Sequence, residues 1–308
     1  MSGVADIADF GTFTRPVLLC GGAVSNLEAL EGLERQARRH GIAPDHIIHT
    51  GDVIAYCADA AAAAAFVAER GWRAIKGNVE AQLAAASDSC ACGFAPGSVC
   101  DALTSSWYAH ADNQMTPSLR RWMAELPDQA EFKLGDRRFG VVHGSVATTN
   151  RVMFASLPEA EFTGEFGRIT VDCVIAGHTG LPFSRTLGDR VWHNPGSLGL
   201  PANDGTPRGW YSLLEPAGNG VRLRHLSFRY DHDTAAAKMR AAGLPEGYAA
   251  CLDTGLWPSL DVLPEVERAA TGQALVEHVR DWPPARSRPQ ASAPAIQPAP
   301  MIGPVPSI

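Results

Sequence analysis

The chain has 308 residues, of which 45% are hydrophobic and 19% are charged, a composition that suits one large α/β domain with an appendage. The formal net charge is −7 and no basic stripe is visible, which argues against generic nucleic-acid binding. No apolar run approaches the roughly 18 residues of a membrane span, and the amino terminus lacks the pattern of a signal peptide. We therefore expect a cytoplasmic protein with reduced thiols, no membrane association and no nucleic-acid partner.

The amino-terminal part of the chain alternates between short apolar runs and amphipathic or Ala-rich stretches. The short apolar runs predict buried strands, and the longer stretches between them predict helices. The strands are expected at 16–20, 46–49 and 73–76, and the helices at 26–40 and 60–70.

The middle of the chain predicts one or two helices over 105–126, followed mainly by strands. Gly135-Asp136 separates two apolar runs, 131–134 and 138–142, and this arrangement is typical of a hairpin. Further strands are expected near 172–176, 183–187, 190–193, 209–214 and 220–229.

The carboxy-terminal part differs in composition from the rest. Residues 231–243 and 265–282 look helical, so we predict a helical appendage over 231–282 after a main domain over 1–230. Residues 283–308 are rich in Pro, Ala and Ser and cannot bury enough apolar surface to offset the entropy of ordering. We expect that tail to be disordered.

Four short polar fragments each end an apolar run. Because strand ends of an α/β protein converge on one crevice, we expect these fragments to lie close together. Asp, Asn and two His side chains make a plausible oxygen and nitrogen shell for one divalent metal. The fragments are Thr50-Gly51-Asp52, Gly77-Asn78-Val79-Glu80, Val142-His143-Gly144 and Gly177-His178-Thr179-Gly180.

These fragments, with the loops at 21–26 and 194–199, resemble the calcineurin-like metallophosphoesterases. The nearest type is the small bacterial phosphodiesterase, whose first loop reads D-x-H-G-N-x-x-A-L, whereas residues 22–30 here read G-A-V-S-N-L-E-A-L. The resemblance spans about residues 17 to 230. It implies two stacked mixed β-sheets flanked by helices, a four-layer sandwich.

The resemblance implies a metal centre of two ions, and this chain departs from the family at the ligands of one of them. Gly22, Val24 and Gly180 stand where the family has three of the four ligands of the first metal. Only Asp52, the bridging ligand, remains there. In addition, Val79 stands where the family has a His near the leaving group.

The ligands that the resemblance implies for the other metal are all present: Asp52, Asn78, His143 and His178. We therefore predict a single divalent ion, Mn²⁺, Fe²⁺ or Zn²⁺. One metal can serve as Lewis acid and hydroxide source, but it cannot clamp both the attacking and the leaving oxygen. Loss of the His at Val79 removes a proton donor worth roughly 10²–10⁴ in rate.

The leading functional hypothesis is hydrolysis of a phosphoester or related small, anionic substrate by a metal-activated water. Arg151, His193 and the Gly21-Gly22 backbone are the groups expected to stabilise developing charge. A strand, two glycines and a helix start would present backbone N–H groups to an anion.

Three of the seven cysteines lie in an insert over 87–101, and a fourth follows Asp52 by five positions. The resemblance implies that both segments border the metal crevice. Three interpretations stay open. They are ordinary packing or free thiols, a Zn²⁺ or iron site in which sulfur ligands could replace the lost ones, and a redox disulfide that a reducing compartment disfavours. The residues are Cys57, Cys90, Cys92 and Cys100.

Two alternatives to a hydrolase also stay open. The loss of three metal ligands is compatible with a non-catalytic binding or scaffold protein that kept the fold. Cysteine sulfur near the centre is compatible with a metal-dependent redox enzyme.

Overall fold

The computed structural model describes residues 6–92, 99–218 and 220–282. Within these ranges the chain forms twelve strands and nine α-helices. The strands are β1 Ile7–Phe13, β2 Val17–Cys20, β3 Ile47–His49, β4 Arg73–Ala74, β5 Gln129–Leu134, β6 Arg137–Val142, β7 Cys173–Ala176, β8 Phe183–Leu187, β9 Arg190–Asn194, β10 Gly209–Ala217, β11 Gly220–Phe228 and β12 His278–Trp282. The helices are α1 Leu27–Arg39, α2 Ala60–Arg70, α3 Asn78–Ala84, α4 Val99–Asn113, α5 Pro117–Glu125, α6 Glu159–Phe166, α7 His232–Ala241, α8 Glu246–Thr254 and α9 Glu265–Ala269.

The strands form two six-stranded mixed sheets. One has the order β1-β5-β6-β7-β9-β8 and the other β12-β11-β10-β2-β3-β4. The strands β2, β3 and β4 are parallel, as are β6, β7 and β9, and the outer pairings are largely antiparallel. These two parallel groups carry the polar fragments at their carboxyl ends.

Side-chain alternation along the strands explains why the two sheets stack. In β2, Leu19 faces the apolar layer between the sheets, whereas Leu18 faces the layer under the helices. Ile48 and Ile47 in β3 divide in the same way. Because successive strand residues point to opposite faces, each fully apolar strand serves two cores at once. The result is the predicted four-layer arrangement, with two stacked mixed sheets flanked by helices.

Helix α1 begins where the first loop of the site ends, and one side chain joins the two. The Asn26 side chain accepts a hydrogen bond from the Ala29 N–H at 3.1 Å and so caps the helix. Its amide nitrogen donates to the Gly199 carbonyl oxygen at 2.9 Å. Asn26 therefore ties the 21–26 loop to the 194–199 loop, the two loops that accompany the metal fragments in sequence.

The predicted strands and hairpin are confirmed, but the carboxy-terminal helix prediction is partly wrong. Only Glu265–Ala269 is helical in the 265–282 stretch, and His278–Trp282 forms a strand antiparallel to β11. Backbone pairing with an available sheet edge outweighs the local helical pattern there. The predicted disordered tail, 283–308, lies outside the described residues, and the limits of an independent appendage stay a prediction.

Candidate metal centre and its pocket

The four predicted ligands come from four separate segments at one end of the sheets. Asp52 follows β3, Asn78 is the first residue of α3 after β4, His143 follows β6, and His178 follows β7. All four side chains are largely buried. The carboxyl ends of parallel strands therefore bring together the residues that the sequence placed far apart.

The ring of His143 lies at the centre of this group. Its Nε2 lies 3.1 Å from Asp52 Oδ2, 3.1 Å from Asn78 Oδ1 and 3.1 Å from His178 Nδ1. The distance from His178 Nδ1 to Asp52 Oδ2 is 3.8 Å. Neighbouring ligands of an ion that bonds each at about 2.1 Å have this kind of spacing.

The tautomer of His143 decides what this cluster can bind. Its Nδ1 lies 2.7 Å from the Thr50 carbonyl oxygen, which can only accept a hydrogen bond, so Nδ1 carries the proton. In the neutral ring, Nε2 then presents a lone pair towards the oxygens of Asp52 and Asn78. Several lone pairs that converge in a buried site need a cation between them, so the donor set fits a divalent metal.

The neighbouring histidines keep the Asp52 carboxylate ionised. Burial alone would raise the pKa of Asp52, but His143 and His178 hold it well below its usual range. Burial lowers the pKa of His143, and the adjacent Asp52 carboxylate more than offsets that effect and raises it. The pKa of His178 is lowered, chiefly by burial, which favours the neutral ring that a metal requires.

The Cys90-Ala91-Cys92 segment fixes the orientation of the Asn78 amide. The amide nitrogen donates to the Cys90 carbonyl oxygen at 2.9 Å and to Cys92 Sγ at 3.6 Å. With its nitrogen committed to this segment, Asn78 turns Oδ1 towards His143. The two sulfurs of the segment are joined in a disulfide.

The buried Glu80 carboxylate joins the Asp52 loop to the Asn78 loop. Oε2 accepts hydrogen bonds from the N–H groups of Asp52 at 2.8 Å and Gly77 at 2.9 Å. Oε1 accepts one from Ile54 N–H at 3.0 Å. Burial and the neighbouring Asp52 raise the pKa of Glu80 to about 7. Glu80 therefore has a structural role, in which its carboxylate links the two loops through backbone hydrogen bonds.

Two of the ligands have an uncommon backbone conformation. Asp52 has φ 55° and His178 has φ 56°, in the left-handed region that side chains other than glycine seldom adopt. The surrounding hydrogen bonds hold them there, including contacts of Asp52 with Glu80 and of His178 with the backbone of Asn150. Such strain is most often found where a side chain has to be aimed at a ligand.

The three positions that lack first-metal ligands face one pocket. It lies beside the four candidate ligands Asp52, Asn78, His143 and His178, here called the quartet. A Cβ atom at Gly180 would lie 3.5 Å from Trp257 Cζ2, and one at Gly22 would lie 3.0 Å from Ser197 Oγ. Trp257 therefore packs against the position from which the family's second His would project. The pocket is lined by Gly21, Gly22, Val24, Asp52, Tyr56, Val152, Phe154, Gly177, His178, Thr179, Gly180, Gly196, Ser197, Leu200, Tyr248, Trp257, Pro258, Ser259 and Val262.

Two of the groups predicted to stabilise developing charge, Arg151 and the Gly22 N–H, already have partners. The Arg151 guanidinium pairs with Glu161 and, at 2.7 Å, with Glu165, and Arg151 does not line the pocket. Gly21 and Gly22 do line it, but the Gly22 N–H donates to the Gly51 carbonyl oxygen at 3.1 Å. The Gly22 N–H and the Arg151 guanidinium are thus already paired, and the roles predicted for Arg151, Gly21 and Gly22 stay a prediction.

His193 lies in a stack of histidines and does not line the pocket. Its ring centroid is 4.5 Å from that of His225, which in turn stacks on His278 at 4.3 Å. His193 Nδ1 lies 2.8 Å from Ser184 Oγ. Because His193 does not line the pocket, its predicted catalytic role stays a prediction.

The histidine stack makes stability depend on pH. Burial and then His278 lower the pKa of His225 to about 3, and the charged or titratable groups facing it are His193, His278 and Arg280. The unfolded chain, with a His pKa near 6.5, binds the proton first. The contribution of His225 to the free energy of unfolding is therefore fully present above about pH 6.5. It falls by about 1.4 kcal/mol per pH unit as the pH drops towards 4.

Urea unfolding of the wild-type chain and a His225→Gln variant from pH 7.5 to 4.5 checks this expectation. Below pH 6.5 the unfolding free energy of the variant should fall less steeply with pH than that of the wild-type chain. The difference in slope should correspond to one proton, about 1.4 kcal/mol per pH unit. Parallel curves for the two proteins would contradict it.

Cys57, Cys90 and Cys92, the three predicted loop cysteines whose side chains the structure describes, do not form one cluster. Cys57 is buried near Cys251 and Glu28, whereas Cys90 and Cys92 adjoin Asn78. The side chain of Cys100 lies outside the described residues. Among the described residues, no group of three metal-binding side chains contains a cysteine. A second metal or thiol site therefore stays a prediction.

The sequence did not identify Trp257, Tyr248 and Val262 as pocket residues. They lie in or after α8, about 70 to 80 residues beyond the last ligand fragment, and no motif marks them. The only signal was the loss of a side chain at Gly180, which leaves room that some other group has to fill.

Comparisons with known proteins agree with this architecture. The chain is similar to a metallophosphoesterase from Sphaerobacter thermophilus, with 21% identity and a TM-score of 0.61, over 79% of this chain and 100% of that one. It is also similar to a hypothetical protein from Pyrococcus horikoshii OT3, with 15% identity and a TM-score of 0.66, over 79% of this chain and 99% of that one. A comparison with curated protein sequences finds no match.

The described part of the chain has no helix long and apolar enough to cross a membrane. The family model for the calcineurin-like phosphoesterase superfamily domain matches residues 24–216, which include all four candidate ligands, five strands of the first sheet, and β3, β4 and nearly all of β10 in the second. With this match and the two stacked mixed sheets, the chain belongs to the calcineurin-like phosphoesterase superfamily.

Proposed function

We propose that the protein is a hydrolase with a single divalent metal, Mn²⁺, Fe²⁺ or Zn²⁺, held by Asp52, Asn78, His143 and His178. The observation that carries this proposal is the convergence of donor atoms on His143 Nε2, each 3.1 Å away. The reaction class is hydrolysis of a phosphoester or a related small ester.

The residues around the quartet support one ion rather than two. Gly22, Val24 and Gly180 border the same pocket as Asp52 and His178 but offer no ligand atom. Among the described residues the other grouping of metal-binding side chains, His232 with Asp233 and Asp253, is largely exposed. Exposed acidic groups of that kind are common without a metal, so we assign no site there.

A divalent ion at the quartet supplies Lewis acidity and lowers the pKa of a water to near neutrality. The chain's own residues do the remaining work. Asp52 and His178 reach the pocket, while Glu80 holds the Asp52 backbone and the Thr50 carbonyl oxygen orients the His143 ring. The apolar walls limit the access of bulk water, which strengthens electrostatic interactions inside.

Elemental analysis of the purified protein tests the proposal, together with hydrolysis of bis(4-nitrophenyl) phosphate after metal loading. We expect about one equivalent of divalent metal, as a four-ligand site should hold. We also expect slow release of nitrophenolate by the wild-type chain and none by Asp52→Ala. Two equivalents in the wild-type chain, or none after loading, would contradict the single-metal centre. Identical rates for the two proteins would contradict the hydrolytic function.

A further inference from the structure

We propose that the pocket beside the quartet takes an aryl ester, a small molecule with an aromatic ring next to one phosphoryl or carboxyl head that carries at most one negative charge. This inference rests on the proposed function and deepens it by naming the class of substrate. It is carried by the walls of the pocket, by its charge and by the valine at position 79, where the resemblance implies a proton donor.

The walls are apolar and aromatic on the side where the first metal's ligands are missing. Tyr56 and Tyr248 stack with their ring centroids 4.5 Å apart, and Phe154 and Trp257 add two further aromatic walls. The cavity has a volume of about 90 Å³ and opens to solvent. A space of this size suits a single aromatic ring, with the rest of the ligand towards the mouth, and a ring gains both from burial and from contact with other rings.

The walls are also held in place before any ligand arrives. The Trp257 indole N–H donates to the Pro201 carbonyl oxygen at 2.7 Å, and its backbone N–H donates to Asn203 Oδ1 at 2.9 Å. On the opposite side, Met153, between Val152 and Phe154, exchanges hydrogen bonds with the Thr179 hydroxyl at 3.0 and 3.1 Å. A preformed apolar wall binds a flat ring with little ordering cost.

The charge of the pocket limits the charge of the ligand. No Lys or Arg stands among the described residues that line it, and its one carboxylate, Asp52, is negative. The nearby Arg151 is paired with Glu161 and Glu165. A group with two or more negative charges would find no protein countercharge in this space, whereas a neutral or singly charged head needs only the metal.

The residue at position 79 points to the same class. The resemblance places there a His that serves the leaving group, and this chain has a buried Val in its place. Without such a donor, the bond that breaks should release its electron pair to an oxygen that is stable as an anion, and an aryl oxygen meets that need. The attacking water loses its proton to solvent, so no further reactant is required.

Isothermal titration of the metal-loaded full chain with diphenyl phosphate and with dimethyl phosphate tests the inference. Both probes are monoanions with the same head group, so they differ only in the apolar body. We expect diphenyl phosphate to bind at least about 10-fold more tightly, because phenyl burial removes apolar surface from water. Equal affinities would overturn the inference.

Two pocket variants separate the wall from the metal. Trp257→Ala and the milder Val262→Ser should each weaken diphenyl phosphate about 5-fold or more and leave dimethyl phosphate within about 2-fold, since only the ring contacts these walls. Val262→Ser keeps the test decisive if Trp257→Ala does not fold. Unchanged diphenyl phosphate affinity in a folded variant would contradict the proposed placement of the ring.

The same titration of Asp52→Ala distinguishes failure of this inference from failure of the proposed function. A preference for diphenyl phosphate that persists without bound metal supports the aryl pocket even if the metal centre is rejected. One equivalent of metal in the wild-type chain without any preference between the probes overturns the aryl pocket and leaves the metal centre standing.

Discussion

Replacing His143 with alanine is expected to lower the bound metal from about one equivalent to less than about a tenth after dialysis, a loss of at least 100-fold in affinity. His143 Nε2 is the donor that lies 3.1 Å from each of the other three ligands. Without it, the remaining carboxylate and imidazole donors, Asp52 Oδ2 and His178 Nδ1, are 3.8 Å apart.

Two measurements check this expectation. Elemental analysis gives the stoichiometry, and thermal unfolding with and without added Mn²⁺ or Zn²⁺ shows whether the folded state binds the ion. The wild-type chain should gain several degrees in Tm, whereas His143→Ala should gain almost none. The His225→Gln variant is the control, since His225 is also buried but lies outside the pocket. Full metal content in His143→Ala would exclude this ligand set.

Replacing Glu80 with alanine is expected to lower the free energy of unfolding by about 3 kcal/mol or more. The Glu80 carboxylate accepts hydrogen bonds from three backbone N–H groups, those of Asp52, Ile54 and Gly77. Each buried N–H group left without a partner costs on the order of 1–3 kcal/mol. Metal affinity should fall as well, because the loops that carry Asp52 and Asn78 lose their common anchor.

Urea unfolding at constant pH measures the effect, with Glu246→Ala as the matched control. Glu246 also makes several hydrogen bonds, all to the Arg240 guanidinium, but that pair is exposed. Removal of an exposed ion pair has little effect on stability, because solvent and salt screen the attraction. Equal losses of unfolding free energy in the two alanine variants would show that the Glu80 hydrogen bonds do not hold the two loops together.

The quartet could be predicted because each ligand follows a recognisable apolar strand in a characteristic order. Asp52 and His178 come directly after runs that form β3 and β7, and parallel strands bring their carboxyl ends together. The distances could not be predicted, because they depend on contacts such as that of His143 Nδ1 with the Thr50 carbonyl oxygen. A sequence pattern does not specify which side chains will meet across loops.

The carboxy-terminal segment was harder to predict, for a different reason. His278–Trp282 forms a strand because β11 has a free edge to pair with, and Val279 and His278 are exposed there, so the local pattern shows no buried face. Strand β1 was missed similarly, since most of Ile7–Phe13 is only partly buried. Strands at sheet edges owe their conformation to partners distant in sequence.

The order of strands in the second sheet has a consequence for how the chain folds. The central strand β2 pairs with β10, almost 200 positions later, and β12 closes the edge near residue 280. Pairings at such separations slow folding, because a long loop has to close before they form. During synthesis the four candidate ligands leave the ribosome well before Trp257, so the aromatic wall of the pocket is completed after them.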